Sequence, residues 1–395
     1  MIRLSITYLF FVSLVSSCDF KDNEVEPSDH FTKVYDDNGQ GGDFRPKALA
    51  KDGEEFVILS ELGASSFKPI FLQKIDAQGV LADSFTSNSG FVNPLPTIIE
   101  QNGEHLIIAM DQLTLFTHVL SIDWENGNLV SVQQIGVEYP IAISKVNNGF
   151  LLLGFSISDR SSYLTYFNNN FQVQWQEEFL VFEDPPQFGR HITEEAPLPF
   201  FTGQLNNSKF YFNGFYNQKL AMVFVNANDG SFFKAVEGHR YEASVSSVYP
   251  LNNGKFFLTK YNTTGSNSIL DEIDLQPNSP NVLNVLNEED IPEQIKQGYP
   301  IRNEFLTKEL FINNIKKLVV LAPTINSQTE LQVRNTITGR LEKVLTVGDG
   351  TVFLPKDCLI DSDDRLVLLG QTFTANKLPR IALIRLSELE MELLK

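Results

Sequence analysis

Turn signals recur along this chain at two interleaved spacings, and no other feature limits the fold as strongly. Asp52-Gly53, Asn102-Gly103, Asn148-Gly149, Asn206-Asn207, Asn253-Gly254, Asn313-Asn314 and Asp363-Asp364 each stand just ahead of a dense apolar run, such as Phe56-Val57-Ile58-Leu59 or Leu318-Val319-Val320-Leu321. Counted at 52, 102, 148, 206, 253, 314 and 363, the intervals are 50, 46, 58, 47, 61 and 49 residues. Asn-Gly and Asp-Gly suit tight hairpins, whose two central residues both need positive φ. A second turn follows each first one by roughly 20 to 24 residues, as at Asp76-Ala77-Gln78-Gly79, Asp123 to Gly127, Asn168-Asn169-Asn170 and Asn226 to Gly230. The later copies are looser: Gln276-Pro277-Asn278, Thr336-Ile337-Thr338-Gly339 and Ser387-Glu388.

One unit is therefore strand, tight turn, buried strand, open loop, strand, tight turn, strand. That is the arithmetic of a propeller blade. The spacing predicts an all-β protein, a β-propeller of seven blades, with six or eight also compatible with the length and a sandwich as the competing architecture. Phe31-Thr32-Lys33-Val34-Tyr35 precedes the first full unit as an orphan strand. It is expected to close the ring by joining the blade made from residues 355–395, which removes an exposed sheet edge. A short helix is expected at 288–297, with Pro292 in its first turn.

The first residues read differently. Met1-Ile2-Arg3 is a short basic start, and Leu4 to Val15 is an apolar stretch of 12 residues. As a helix it would rise about 18 Å, short of the ~30 Å hydrocarbon core, which marks a signal segment and not a permanent span. Val15-Ser16-Ser17-Cys18 resembles the lipobox of bacterial lipoproteins. The resemblance implies cleavage before Cys18 and acylation of that residue, so that outer-membrane lipid is a partner. Lys21-Asp22 with Glu24 is similar to the signal that sends lipoproteins of Bacteroidetes to the cell surface. Asn168-Asn169-Asn170-Phe171-Gln172-Val173-Gln174-Trp175 resembles the turn-then-tryptophan repeats of their propeller-bearing lipoproteins. The organisation expected is a signal peptide at 1–17, an acidic tether at 18–30 and a single propeller at 31–395, displayed at the outer membrane.

Composition narrows the function classes. The chain has 395 residues, 49 acidic against 31 basic, and a net charge of −18. That balance argues against wrapping nucleic acid, whose phosphates need Lys and Arg. With Cys18 acylated, Cys358 has no partner among the 2 cysteines. It lies in a strand-like run and is expected to be a small buried hydrophobe. The 5 histidines (His30, His105, His118, His191 and His239) form no His-x₃-His or Glu-x-x-His pattern, so neither a metal nor another cofactor has sequence support. Asp361-Ser362-Asp363-Asp364 lacks the Gly and distal Glu of a calcium loop and reads as an Asp-rich hairpin.

The candidate binding residues follow from where length varies. The 58- and 61-residue intervals carry insertions between blades, at Val181 to Pro199 and about Leu286 to Asn303. Long loops inside a compact domain are more often functional than idle. The first gathers Asp184, Phe188, Arg190, His191, Glu194 and Glu195, a set able to grip a sugar or a peptide, although a solvated loop with locally paired charges fits the same residues. A proline stands near the start of the innermost strand in six units (Pro46, Pro94, Pro140, Pro197, Pro300 and Pro355). Its neighbours Arg45, Tyr139, Tyr299 and Arg302 are expected around the channel entrance. The function expected is a lipid-anchored envelope propeller that binds a glycan or another envelope protein. The alternative is a propeller glycoside hydrolase or polysaccharide lyase working through paired carboxylates.

Overall fold

The computed structural model describes residues 30–35, 42–63, 65–182, 188–189, 191, 198–217, 219–239, 243–262, 268–273, 305–324, 328–348, 352–373 and 378–395. Within them the strands form seven antiparallel sheets. After β1 (Phe31–Tyr35), blade 1 is β2 (Phe44–Asp52), β3 (Glu55–Leu62), β4 (Ile70–Ile75) and β5 (Leu81–Thr86). Blade 2 is β6 (Phe91–Val92), β7 (Ile98–Gln101), β8 (Glu104–Asp111), β9 (Phe116–Asp123) and β10 (Asn128–Glu138). Blade 3 is β11 (Pro140–Val146), β12 (Gly149–Ser156), β13 (Ser161–Asn168) and β14 (Val173–Leu180). Blade 4 is β15 (Phe201–Asn206), β16 (Lys209–Tyr216), β17 (Lys219–Asn226) and β18 (Phe232–His239). Blade 5 shows β19 (Ala243–Pro250), β20 (Phe256–Asn262) and β21 (Ser268–Ile273), and blade 6 is β22 (Leu306–Ile312), β23 (Ile315–Pro323), β24 (Thr329–Asn335) and β25 (Leu341–Val347). Blade 7 is β26 (Leu354–Ile360), β27 (Leu366–Phe373) and β28 (Pro379–Arg385), followed by helix α1 (Glu388–Leu394).

The second strand of each blade explains both the apolar runs and the ring. On β12, Leu151 and Leu153 pack against blade 4, whereas Phe150 and Leu152 pack against blade 2. On β3, Phe56 and Ile58 face blade 7, while Val57 and Leu59 face blade 2. Because side chains alternate with period two, a strand sandwiched between two sheets has no solvent face and must be apolar throughout. Seven core clusters follow, each shared by two consecutive blades, and the last joins blade 7 to blade 1. The sheets thus close into a seven-bladed propeller.

The closing strand sits where the orphan-strand reading puts it. β1 pairs antiparallel with β28, from Phe31 opposite Arg385 to Tyr35 opposite Ile381, and becomes the outermost strand of blade 7. The chain's end differs from expectation. Ser387-Glu388 does not turn into a fourth strand; Ser387 caps α1, its hydroxyl accepting from the Glu390 N–H while the Glu390 carboxylate accepts from the Ser387 N–H. With β1 filling the outer slot, the C-terminal segment is free to form a helix. Blade 2 departs in another way: its inner strand breaks into β6 and β7, because Pro94 and Pro96 supply no N–H for the ladder. The helix expected at 288–297 lies outside the described residues.

At three junctions a blade also docks on the next through an outer aromatic residue. Phe31 of β1 covers Gly79 of blade 1, Phe85 of β5 covers Gly127 of blade 2, and Trp175 of β14 covers Gly230 of blade 4. The turn-then-aromatic pattern in the sequence is therefore a blade-to-blade clasp.

Candidate functional site

The innermost strands enter from the side that carries the long connections, and prolines shape that entry. In blade 1 Pro46 pairs with Ser60 and Ala48 with Leu59, leaving Lys47 as a bulged residue. In blade 3 Pro140 pairs with Gly154 and Ala142 with Leu153, which bulges Ile141. Blade 7 repeats the device at Lys356 between Pro355 and Asp357. A proline ends the ladder slot, and the extra residue is turned out of the sheet. Gly154 fits this junction because a Cβ there would stand 2.6 Å from the Glu138 carbonyl oxygen.

Two of these bulges open into a cavity of about 220 Å³ at the loop-side mouth of blades 1 to 4. Its polar groups are Lys47, Glu61, Lys68, Asn93, Tyr139 and His191; Leu95, Met110, Ile141, Phe188, Leu198 and Phe200 supply apolar wall. Glu61 and Lys68 are each about 3% exposed, and the Glu61 Oε2 lies 2.9 Å from Lys47 Nζ and 3.7 Å from Lys68 Nζ. Charges this deep persist only in company, since the cost of stripping their water is large. Asn93 fixes the approach of the blade 1 loop: its Oδ1 accepts from the Lys68 N–H at 2.8 Å and its Nδ2 donates to the Ser66 carbonyl at 2.8 Å. Asn93 does this from φ 52°, a conformation that asparagine tolerates better than most residues.

Tyr139 and His191 are set as neutral donors. Burial, helped by the charge of Glu138, pushes the Tyr139 phenol above its usual value, so it keeps its proton. His191 Nδ1 accepts from the Leu198 N–H at 2.9 Å, which puts the imidazole proton on Nε2. Phe188 is buried among Phe155, Phe215 and Tyr139, with ring centroids at 4.5, 6.1 and 5.7 Å.

Of the residues expected from sequence, the structure brings Tyr139, Phe188 and His191 to this one cavity. Arg45 lies outside its lining, 2.9 Å from Asp43. Cys18, Asp184, Arg190, Glu194, Glu195, Tyr299 and Arg302 lie outside the described residues. Sequence reasoning missed Lys47, Glu61, Lys68 and Asn93. The available signal was a carboxylate at the end of the apolar run Phe56 to Leu62 and a lysine just before Pro69. Among the described lining residues Glu61 is the one carboxylate, where glycoside hydrolysis ordinarily takes two. Among the described residues no three His, Cys, Asp or Glu side chains gather to hold a metal ion. The Asp361 hairpin is tied internally: its Oδ1 accepts from the Asp363 and Arg365 N–H groups, and its Oδ2 from Arg385.

No family model matches the sequence. Among curated proteins, none matches it either. Among solved structures, the chain is similar to a candidate 6-phosphogluconolactonase from Bacteroides uniformis ATCC 8492, at 13% identity and a TM-score of 0.46, over 76% of this chain and 88% of that one. It is also similar to the β-propeller domain of the Trilobed protease from Pyrococcus furiosus, at 10% identity and a TM-score of 0.43, over 87% and 93% of the two chains. The assignment as a propeller rests on this chain's own strand pairing and its ring of seven shared cores.

Proposed function

We propose that this chain is a lipid-anchored propeller of the outer membrane, held through acylated Cys18, that binds the end group of a glycan or envelope protein at its loop-side mouth. The observation that carries the reading is the cavity itself, in which Lys47, Glu61, Tyr139 and His191 converge over apolar walls. Few convergent polar groups in an apolar pocket are the usual make-up of a binding site. At about 220 Å³ it is smaller than the ~300–1,000 Å³ of pockets that enclose a whole drug-sized ligand. It therefore suits a terminal sugar or a side chain.

A glycan array probed with the full chain in detergent tests the ligand, beside cross-linking in intact envelopes. Tyr139→Phe and His191→Ala are expected to weaken capture by about tenfold, the worth of one or two lost hydrogen bonds. Capture indifferent to both would remove the cavity from the account. Cys18→Ala is expected to release the protein from the membrane fraction; undiminished retention would refute the anchor.

A further inference from the structure

A second concave site lies on the opposite side of the ring, where the tight turns are. Between blades 3 and 4 a groove of about 910 Å³ is lined by the β11–β12 turn, the β15–β16 turn, the β17–β18 turn and outward-facing residues of β13 and β14. Its polar lining is almost wholly side-chain amide: Asn147, Asn148, Gln174, Gln204, Asn207 and Asn228. Tyr166 supplies its aromatic surface, backed by the buried ring of Phe210 at a centroid distance of 5.3 Å. No carboxylate stands among the described lining residues, and Lys145 is the one charged group there. In a chain with a net charge of −18, that is an enclave without acidic groups among its described residues.

Turn preference accounts for part of this, because asparagine favours tight turns. It does not account for Gln174 and Gln204, which sit on β14 and β15 and turn the same chemistry into the same groove. The amides are also held. Gln204 Oε1 accepts from the Asn147 N–H at 2.7 Å and its Nε2 donates to the Asn206 carbonyl at 3.1 Å. Asn147 Nδ2 donates to Asn207 Oδ1 at 2.9 Å. Gln174 Nε2 donates to the Gln172 carbonyl at 3.1 Å. Among the described residues this leaves Asn147 Oδ1, Asn207 Nδ2 and Gln174 Oε1 without a partner: two acceptors and a donor in fixed positions.

We propose that this groove binds a neutral oligosaccharide. A sugar hydroxyl both donates and accepts, as does a side-chain amide, so adjacent hydroxyls can be met by Asn147 with Asn207 and by Gln174. The C–H face of a sugar ring packs on aromatic surface without any charge having to be stripped of water. The volume falls in the range that takes up a whole small ligand, enough for several linked rings, whereas the loop-side cavity takes an end group. The proposal stands independently of the loop-side reading, since the two sites share no residue.

The test is calorimetric titration of the full chain in detergent with cellohexaose, maltohexaose, xylohexaose and mannohexaose, and with trigalacturonate as an acidic probe. One neutral hexasaccharide is expected to bind, with Asn207→Ala and Gln174→Ala each weakening it by about tenfold. Glu104→Ala, an exposed change outside both sites, is expected to leave its affinity within about twofold, and Lys145→Ala and His191→Ala are titrated beside it. Asn207 and Gln174 are exposed, so unchanged thermal melts will certify that both variants fold. Three results would overturn the proposal: no neutral hexasaccharide binds, binding survives both groove variants, or trigalacturonate binds in preference and depends on Lys145. Loss of binding in His191→Ala alone would assign the sugar to the loop-side cavity and equally reject the groove.

Discussion

Gly230 holds φ at 74°, and a Cβ built on it would lie 2.5 Å from Trp175 Cε3 and 2.6 Å from Glu177 Cγ. The indole N–H of Trp175 donates to the Ala227 carbonyl of the same turn at 2.9 Å. Alanine at 230 therefore meets a left-handed backbone and an occupied space together. Gly230→Ala is expected to cost about 2–4 kcal/mol, the sum of the conformational and overpacking penalties, read from urea unfolding with an unchanged slope. A cost under about 0.5 kcal/mol, the ordinary range of surface changes, would show that the clasp is not structural. Cys358 offers a second test at this scale. Burial, with a smaller contribution from Asp357 and an opposing one from Lys308, pushes its thiol up to about 12. The unfolded thiol ionises near pH 8.5. Between those values the unfolded chain binds fewer protons, so stability falls as pH rises, by about 1.4 kcal/mol per unit. Cys358→Ala is expected to remove the part of that decline that begins near pH 8.5. The part that begins near pH 10 belongs to Tyr35, Tyr139, Tyr163, Tyr211 and Tyr249, which burial raises in the same way. An identical pH profile in the variant would sink this assignment.

At the scale of the element, β1 shows how a short strand can matter beyond its length. Its ends, Phe31 and Tyr35, are buried and its middle is exposed. Phe31 packs on Gly79, and the Tyr35 hydroxyl donates to the Gly79 carbonyl at 2.9 Å. Both side chains thus reach across the seam into blade 1 while the backbone pairs with β28. Phe31→Ala is expected to cost about 3 kcal/mol and, by loosening the strand, to expose the β28 edge to other chains. Concentration-dependent light scattering near the melting temperature checks this; scattering that matches the parent would contradict it. This strand was legible in the sequence because one strand preceded the first unit. Helix α1 was not, although Ser387 and Glu390 spell a capping box, because counting four strands to every unit claimed Ser387-Glu388 for a turn. The site was legible in part. Tyr139 was marked by its proline and Phe188 and His191 by their insertion, signals carried along the chain. Lys47, Glu61 and Lys68 meet only through the fold of blade 1, across a hairpin and an open loop, and no spacing announces them.

The whole molecule is a circle made by repeating one device, and the circle has consequences that a row of blades would not. In an open array the terminal repeats face solvent, and stability builds as a sum over neighbours. Here the cluster of Phe44, Ile58, Ile75, Leu369 and Leu383 joins the two ends of the sequence, so every blade has two buried faces. Inner-strand contacts run across the same seam: Asp357 Oδ2 accepts from the Leu49 N–H at 2.9 Å, while Asp357 Oδ1 stands 2.6 Å from Lys308 of blade 6. Burial opposes the charge on Lys308, but Asp357 outweighs it and holds the ammonium above its usual pKa, so this carboxylate ties three consecutive blades together. Unfolding should then be all-or-none, with calorimetric and van't Hoff enthalpies that agree. Deleting residues 31–35 removes the clasp across that seam and leaves blades 7 and 1 joined by the remaining cluster and the Asp357 contact alone, and the two enthalpies are expected to part. Leu152→Ala, buried between blades 2 and 3, is expected to cost about 2–5 kcal/mol yet keep a single transition, because it weakens the circle without opening it. If the strand deletion also melts in one step with matched enthalpies, closure by β1 is not what makes the blades act together, and the seven shared cores alone must do so.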